Sequence, residues 1–144
     1  MKNTKEILEK YKKIALVGAS KDLNKTSTIV MKYLQEYGFK VYPVNPSTRG
    51  EKILGEKVFG SISEINTPVD IVDVFRPSNE VIQIAKEAVK INAKVLWLQL
   101  GIRNEEAKKI VEENKIEYIE DRCTKMEYQK HFLKVRQAFP VLQN

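Results

Sequence analysis

The residues best placed to do chemistry follow the first apolar run of the chain, Lys13–Val17. That run ends in three small residues: Gly18, Ala19 and Ser20. After a short polar loop, three hydroxyl side chains open a segment with helical spacing of its apolar residues: Thr26, Ser27 and Thr28. A helix begins with free backbone N–H groups and the positive end of its dipole, so such a turn attracts anions. The pattern therefore predicts a turn that holds a phosphate group.

The glycine content of this turn leaves a second interpretation open. Gly18 is the one glycine present of those expected in the dinucleotide-binding pattern G-x-G-x-x-G, and the P-loop pattern G-x-x-x-x-G-K-[ST] is absent. A small-residue turn followed by an ordinary helix cap explains the same residues. The turn by itself does not decide between the two.

The second apolar run argues against one class of ligand. It spans Phe39–Val44 and ends in Asn45 and Pro46. Folds that bind NAD usually carry Asp or Glu about 20 residues after the glycine turn, where it accepts a hydrogen bond from the ribose. No carboxylate stands at that place here, so the sequence disfavours a dinucleotide of the usual kind.

Strand-like and helical patterns alternate along the chain and must position this turn. Further apolar runs predict strands at Val69–Phe75, Ala93–Leu100 and Ile116–Ile119. Helical patterns cover Ser27–Tyr37 and Ser78–Asn92, and another helix follows Asn104. The alternation predicts one α/β domain over residues 1–144, a doubly wound parallel sheet with its core between about residues 10 and 130.

In such sheets the ligand binds beyond the carboxyl ends of the strands, near the point where strand order reverses. This rule places four segments along one rim: Gly18–Ser20, Val44–Pro46, Phe75–Pro77 and Leu100–Gly101. The sequence thus predicts that any binding site is assembled from these segments.

Local signals make finer predictions. Pro43 has no backbone N–H, so we expect the second strand to end early or bend there. Residues 47 to 60 are predicted as a loop with at most a short strand near Lys57–Phe59. Side-chain caps are expected at the starts of four helical segments: Asn3, Ser61, Asn104 and Thr124. The last helix is expected to carry the apolar residues Met126, Phe132, Val135 and Phe139.

Composition limits the class of protein. The chain has 144 residues, 42% of them hydrophobic, which is enough for one continuous core. A single cysteine excludes an internal disulfide, and no apolar run is long enough to span a membrane. The segment Met1–Lys12 lacks the apolar centre of a signal peptide, so we expect a cytoplasmic protein with no membrane partner.

The net charge of +6 and the pI near 9.3 favour an anionic partner, which includes a nucleotide cofactor, a nucleic acid and an acidic protein. The basic residues are spread along the chain, with no cluster longer than pairs such as Lys12-Lys13. A solvated surface is therefore a sufficient explanation of the charge, and charge alone does not lead us to expect nucleic-acid binding.

Five blocks of sequence, taken together, resemble a known family: Val17–Ser20, Tyr42–Pro46, Val69–Pro77, Trp97–Ile102 and Asp121–Cys123. The family comprises stand-alone CoA-binding proteins related to the N-terminal domain of the succinyl-CoA synthetase α subunit. The resemblance covers nearly the whole chain. It implies a Rossmann-type fold that holds coenzyme A, or an acyl-CoA, in place of a dinucleotide.

The resemblance also implies which residues contact the ligand. Those near the phosphates are Gly18, Ala19, Ser20, Lys25, Thr26, Ser27 and Thr28. Those along the rest of the ligand are Val44, Asn45, Pro46, Phe75, Arg76, Pro77, Leu100 and Gly101. Asn45 and Pro46 would line the adenosine side, Phe75 to Pro77 the path of the pyrophosphate and pantetheine, and Leu100 and Gly101 its far end. Independently, Lys25, Arg49 and Arg76 offer positive charge for phosphates.

The sequence offers no catalytic or metal-binding constellation. Succinyl-CoA synthetase uses a histidine in a second domain, whereas His131 falls in the predicted last helix, away from the rim. Asp70 and Asp73 lie three apart on a strand, so they point to opposite faces. Cys123 could in principle form a mixed disulfide with the CoA thiol, but a lone cysteine is more often a buried apolar residue.

The main prediction is therefore a CoA-binding protein without catalysis of its own. The alternative is an NAD(P)-linked oxidoreductase, or a CoA-transferring enzyme completed by a partner subunit. That alternative needs a catalytic acid or base at the rim, where the sequence offers only Asp22, Arg76 and Cys123. A homodimer or a partner protein stays open, as does the choice between free CoA and an acyl-CoA.

Overall fold

The computed structural model describes residues 3–134 and places the predicted apolar runs in one parallel sheet. The strands are β1 (Lys13–Val17), β2 (Lys40–Val44), β3 (Lys52–Ile53), β4 (Glu56–Lys57), β5 (Ile71–Val74), β6 (Val95–Leu98) and β7 (Glu117–Ile119). The sheet has five strands in the order β2-β1-β5-β6-β7, and each neighbouring pair is parallel. The prediction of a doubly wound parallel sheet is confirmed.

The helices cover both faces of this sheet. They are α1 (Thr4–Lys10), α2 (Thr26–Glu36), α3 (Val81–Lys90), α4 (Glu105–Glu113) and α5 (Thr124–Tyr128). Helices α1, α2 and α5 pack on one face against residues such as Leu16 and Trp97. Helices α3 and α4 pack on the other face against Val72 and Leu96. Successive strand residues thus alternate between two buried cores, as in a sheet covered on both sides.

Short helical turns join these elements. Three are 3-10 turns, at Pro46–Thr48, Ile62–Glu64 and Ser78–Glu80, and a π-helical turn, Gln129–Leu133, continues α5. Phe132 packs against the core, Met126 is exposed, and Val135 and Phe139 lie outside the described residues. Within residues 3–134, no helix has the length and apolar content that crossing a bilayer requires.

Pro43 does not end β2 early, because the strand continues to Val44, so the prediction of an early end is wrong. β2 is an edge strand, and Pro43 pairs in register with Leu16 of β1. The Pro43 carbonyl accepts a hydrogen bond from Phe59 N at 3.0 Å, on the side away from β1. Because N–H and C=O of one strand residue point the same way, the missing N–H would also have faced outward. The hydrogen bonds between β2 and β1 are therefore not affected by the missing N–H.

The region between residues 47 and 60 contains more structure than predicted. β3 and β4 pair as a small antiparallel hairpin. The peptide after the hairpin returns to the sheet, where Phe59 forms an isolated parallel bridge with Val44. This contact brings Gly60 and the turn that follows it to the carboxyl end of β2.

Two of the predicted side-chain caps are confirmed. Asn3 accepts a hydrogen bond from Glu6 N at 2.9 Å, which caps α1. Asn104 accepts from Ala107 N at 2.8 Å and caps α4. Each side-chain oxygen takes one of the free N–H groups of a first helical turn.

The other two predicted caps are wrong. The Ser61 side chain makes no cap bond, and Glu64 instead accepts a hydrogen bond from Gly60 N at 3.0 Å. Thr124 is the first residue of α5 and not its cap. Its hydroxyl points inward and donates to Asp73 Oδ2 at 3.1 Å. A buried acceptor therefore competes successfully for the hydroxyl that the spacing assigned to capping.

Candidate functional site

The strand order reverses between β1 and β5. The chain leaves β1 for β2 on one side, and β5 then pairs with the other side of β1. The carboxyl ends of these strands lead into Gly18 and into Phe75 and Arg76. Gly18 has φ +97°, and a Cβ there would lie 2.9 Å from Phe75 O and 3.0 Å from Arg76 Cδ. Only glycine fits this backbone and this close approach, which fixes the turn beside Arg76.

The turn after β1 is bonded to the end of β2. The backbone N–H groups of Gly18 and Ala19 both donate to Val44 O, at 3.0 and 3.2 Å. Asn45 Nδ2 donates to Ala19 O at 2.8 Å, while Asn45 Oδ1 accepts from Ser47 N at 2.8 Å. These two amide N–H groups are thus engaged within the protein. Donors for an anion must come from elsewhere around the turn.

The loop from Ser20 to the start of α2 is held by its own side chains. Thr28 Oγ1 donates to Ser20 O at 2.8 Å, and Thr28 is buried, as is Ser27. Lys25 precedes the first helical residue without forming a side-chain cap, and both Lys25 and Thr26 are exposed. The groups that face solvent at this helix start are therefore Lys25 and Thr26, while Thr28 holds the loop in place.

A cavity of about 620 Å³ opens next to this turn. Five of the predicted site residues line it: Gly18, Val44, Asn45, Pro46 and Arg76. The other lining residues are Val17, Ser47, Gly60, Ser61, Ile62, Asn79, Glu80, Gln83, Ile84 and Glu87. The volume falls in the range of about 300 to 1,000 Å³ that is usual for small-molecule sites. Part of the predicted rim thus lines a cavity.

One wall of the cavity was not predicted. It is formed by the 3-10 turn before α3 and by the exposed side of α3: Asn79, Glu80, Gln83 and Glu87. Glu80, Gln83 and Glu87 follow one another at steps of three and four, which places them on one helical face. That spacing was visible in the sequence, but a polar helical face normally indicates solvent. The opposite wall comes from residues 60 to 62, which the Val44–Phe59 bridge brings here.

The charge at the mouth of the cavity is dominated by one ion pair. Arg76 Nε donates to Glu80 Oε1 at 2.9 Å, and Arg76 Nη2 donates to Glu80 Oε2 at 2.7 Å. Both side chains are 45% exposed. The hydrogen bonds raise the pKa of Arg76 and lower the pKa of Glu80, so both groups are charged at neutral pH.

The other cations near the rim differ in their partners. Arg49 donates from Nε to Glu64 at 3.0 Å, and Lys21 is paired with Glu51. Lys25, in contrast, forms no ion pair with any residue of the described part of the chain. Lys25 is therefore the cation beside the α2 start that needs no exchange of partner to bind an anion.

The remaining predicted residues lie outside the cavity. Phe75 is half-buried and packs into the core on the α1, α2 and α5 face, and Pro77 is exposed. Leu100 is 57% exposed, and Gly101 N donates to Asp121 Oδ1 at 2.7 Å. The ends of β1, β2 and β5 therefore form the cavity, whereas the end of β6 lies along the same rim but not in its lining.

A buried polar cluster lies below the rim, on the other side of the sheet from the cavity. The Asp73 carboxylate is fully buried and accepts hydrogen bonds from Gln99 Nε2 at 2.6 Å and from Thr124 Oγ1 at 3.1 Å. Burial raises its pKa from 3.8 to about 7, although the two hydrogen bonds lower it. Burial also raises the pKa of the neighbouring Cys123 thiol, which favours an unreactive, protonated sulfur.

His131 lies away from the rim, as predicted. Its Nε2 is 2.9 Å from Thr4 Oγ1 and 3.5 Å from Glu127 Oε1, so it links the π-helical turn after α5 to α1. Trp97 is buried, and its Nε1 donates to Arg122 O at 2.8 Å. The prediction that both are packing residues is confirmed. Across residues 3–134, no group of three or more His, Cys, Asp and Glu side chains could hold a metal ion.

Residues 12–129 match the model of a protein family described as a CoA binding domain. The chain is 41% identical over 122 residues to the protein YneT of Bacillus subtilis (strain 168). The alignment covers 85% of this chain and 89% of YneT. It is similar in structure to a protein from Pyrococcus horikoshii OT3, with a TM-score of 0.85, 39% identity and 88% of each chain covered.

A longer relative is the alpha subunit of ADP-forming acetate–CoA ligase I of Pyrococcus furiosus. The two sequences are 35% identical over 112 residues. The alignment covers 73% of this chain but only 24% of the ligase subunit. The similarity therefore extends over about a quarter of that protein.

Proposed function

Because the chain belongs to the CoA binding domain family, we propose that it binds coenzyme A or an acyl-CoA at the cavity beside Gly18. The observation that carries the proposal is the position of this cavity. It opens where strand order reverses, between the ends of β1, β2 and β5. That is where open α/β sheets bind their ligands.

The phosphates of CoA are proposed to lie between the start of α2 and Arg76. Helix α2 begins with no side-chain cap, so its dipole and its first N–H groups are available for an anion. Lys25 and Thr26 are exposed beside these groups. Arg76 lies across the Gly18 turn and offers a planar donor that suits phosphate geometry. Ser20 and Ala19 shape this pocket through their backbone, and we include them in the site.

The less charged parts of the ligand are proposed to occupy the cavity itself. Its lining combines apolar groups, Val17, Val44 and Ile62, with amide and hydroxyl groups, Asn45, Ser61 and Gln83. The adenosine and the pantetheine arm both need this mixture of van der Waals contact and hydrogen bonding. Leu100, exposed further along the rim, is proposed to contact the far end of the arm.

We propose binding without catalysis as the activity of this chain. The ligase subunit is a relative with a stated reaction, and the similarity covers about a quarter of it. The cavity is lined by one paired arginine and two carboxylates, and none of them has a partner arrangement typical of a nucleophile and its base. The similarity therefore supports CoA as the ligand of this chain, and it does not support the ligase reaction.

The test is calorimetric titration of the purified protein with CoA, acetyl-CoA, ADP, NAD and NADP at the same moderate salt concentration. We expect the two CoA species to bind more tightly than ADP, because the pantetheine arm adds contacts in the cavity. Equal affinity for CoA and ADP would mean that the pantetheine arm does not contact the site. Binding of NAD or NADP without binding of CoA would contradict the proposed function.

A further inference from the structure

Arg76 has contacts at both ends of its side chain. Its aliphatic part lies against the Gly18 turn, where a Cβ on Gly18 would be 3.0 Å from Arg76 Cδ. Its guanidinium forms two hydrogen bonds with the two oxygens of Glu80, at 2.9 and 2.7 Å. The stem thus holds the guanidinium next to the turn, and Glu80 occupies the edge formed by Nε and Nη2.

A carboxylate that bridges Nε and Nη2 takes one of the two bidentate edges of the guanidinium, and a phosphate can use the same edge. The fork of an arginine matches both groups with two parallel N–H···O bonds. The two Glu80 carboxylate oxygens therefore occupy the positions on Arg76 that two phosphate oxygens would take. Glu80 also lines the cavity. Its negative charge opposes the approach of an anion to the same place.

From this geometry we infer that Glu80 is an internal competitor for the anionic ligand: its carboxylate holds the Arg76 fork until a phosphate replaces it. The inference rests on the proposed function, since it concerns the phosphates of the ligand in that cavity. It assigns Glu80 a role in setting affinity and ligand choice. A ligand with little negative charge, or with no other contacts, gains too little from Arg76 to displace the carboxylate.

The exposure of the pair makes this exchange possible. Both side chains are 45% exposed, and exposed ion pairs stabilise a protein only weakly because water and salt screen them. A released Glu80 can be hydrated at the protein surface. A phosphate that is also held by the start of α2 and by Lys25 therefore replaces it at small cost.

The chain contains a matched control for this idea. Glu87 also lines the cavity and lies on the same helical face, but no ion pair links it to Arg76. Changing Glu87 to Gln removes one negative charge from the cavity and leaves the Arg76–Glu80 pair intact. Changing Glu80 to Gln removes the same charge and the competitor together. Glutamine keeps the size and one acceptor oxygen, so Arg76 keeps a hydrogen-bond partner.

The experiment is calorimetric titration of wild-type protein, Glu80→Gln, Glu87→Gln, Arg76→Ala and the double variant Arg76→Ala/Glu80→Gln with CoA and with inorganic pyrophosphate. We expect Glu80→Gln to bind both probes about two- to fivefold more tightly, the range that corresponds to an exposed ion pair. We expect a smaller gain from Glu87→Gln. The gain from Glu80→Gln should disappear when Arg76 is already alanine.

Several results would overturn the inference. Weaker binding by Glu80→Gln would mean that Glu80 orients Arg76 for the ligand. An equal gain from Glu87→Gln, or an undiminished gain in the double variant, would show plain charge repulsion without competition. If wild-type protein binds CoA and Glu80→Gln binds it equally, the inference fails and the proposed function stands. If wild-type protein binds neither probe, both fail.

Discussion

The Asp73 carboxyl is expected to make the protein less stable as pH rises towards neutrality, and Asp73→Asn should remove this dependence. Burial raises the pKa of Asp73 from 3.8 to about 7 in the folded protein. The folded protein therefore binds this proton more tightly than the unfolded chain does. The stabilisation from the bound proton is fully present below about pH 4, falls between about pH 4 and 7, and is lost above that range.

The magnitude follows from the shift. Ionising this carboxyl in the folded protein, where its pKa is about 7 and not 3.8, costs about 4 kcal/mol. Asparagine has the same shape and no charge. Its carbonyl oxygen can accept from Gln99 Nε2, and its amide can donate to Thr124 Oγ1, which already accepts from Gln99 Nε2. The Thr124 hydroxyl proton then loses Asp73 Oδ2 as its acceptor, so the gain in stability is an upper bound. The variant should gain up to about 4 kcal/mol at pH 8 and less than half of that, up to about 2 kcal/mol, at pH 5, where the unfolded carboxyl is already ionised and the folded one is not.

The assay is equilibrium unfolding in urea at several pH values between 5 and 8, with wild-type protein, Asp73→Asn and a control, Asp70→Asn. Asp70 lies just before β5, is only half-buried and accepts a hydrogen bond from Lys13 N at 3.2 Å. The control measures the effect of removing one carboxylate from the same segment. A stability difference between wild-type protein and Asp73→Asn that does not grow from pH 5 to pH 8 would refute the reasoning. So would a variant that is less stable at pH 8.

Three further substitutions test the site. Arg76→Ala should weaken CoA binding by about 1.5 to 3 kcal/mol in calorimetry, because it removes a charge-assisted hydrogen bond; a loss of a few tenths would remove Arg76 from the site. Gly18→Ala should lower the free energy of unfolding by more than about 1 kcal/mol, because its φ is +97° and the new Cβ would meet Phe75 O at 2.9 Å; unchanged thermal stability would contradict this close approach. Thr28→Val should cost about 1 kcal/mol of stability and weaken CoA binding, because it leaves Ser20 O without its 2.8 Å hydrogen bond. Thr28→Ser, which keeps the hydroxyl, is its control, and equal losses in the two variants would contradict the role of that bond.

The sequence predicted the elements whose signals are local. The apolar runs and the helical spacings are written in neighbouring residues, and the rim follows from them by the rule for parallel sheets. The cavity wall on α3 was missed for the opposite reason. Glu80 and Gln83 lie on a polar helical face, which by itself indicates solvent. They line a cavity only because the bridge between Val44 and Phe59 brings residues 60 to 62 opposite them.

Pro43 and Asp73 show a second limit of prediction from the sequence. A missing N–H weakens a sheet only if it would have pointed towards a neighbouring strand. At Pro43 it would have pointed away from β1, towards Phe59. An aspartate inside an apolar strand is tolerated only if distant groups satisfy it. The partners of Asp73 come from 26 residues away, at Gln99, and from 51 residues away, at Thr124. No pattern of neighbouring residues encodes such pairs.

The end of β2 differs from the usual dinucleotide site. In dinucleotide-binding folds an acid at this place accepts from the ribose. Here the residue is Asn45, and both polar atoms of its side chain are engaged, one with Ala19 O and the other with Ser47 N. These bonds hold the end of β2 to the β1 turn, where the amides of Gly18 and Ala19 also donate to Val44 O. Because these groups hold the turn in shape, the proposed site relies mainly on the charged groups around the turn to recognise its ligand. A ligand rich in phosphate, such as CoA, makes use of those groups more fully than a ligand recognised through its ribose.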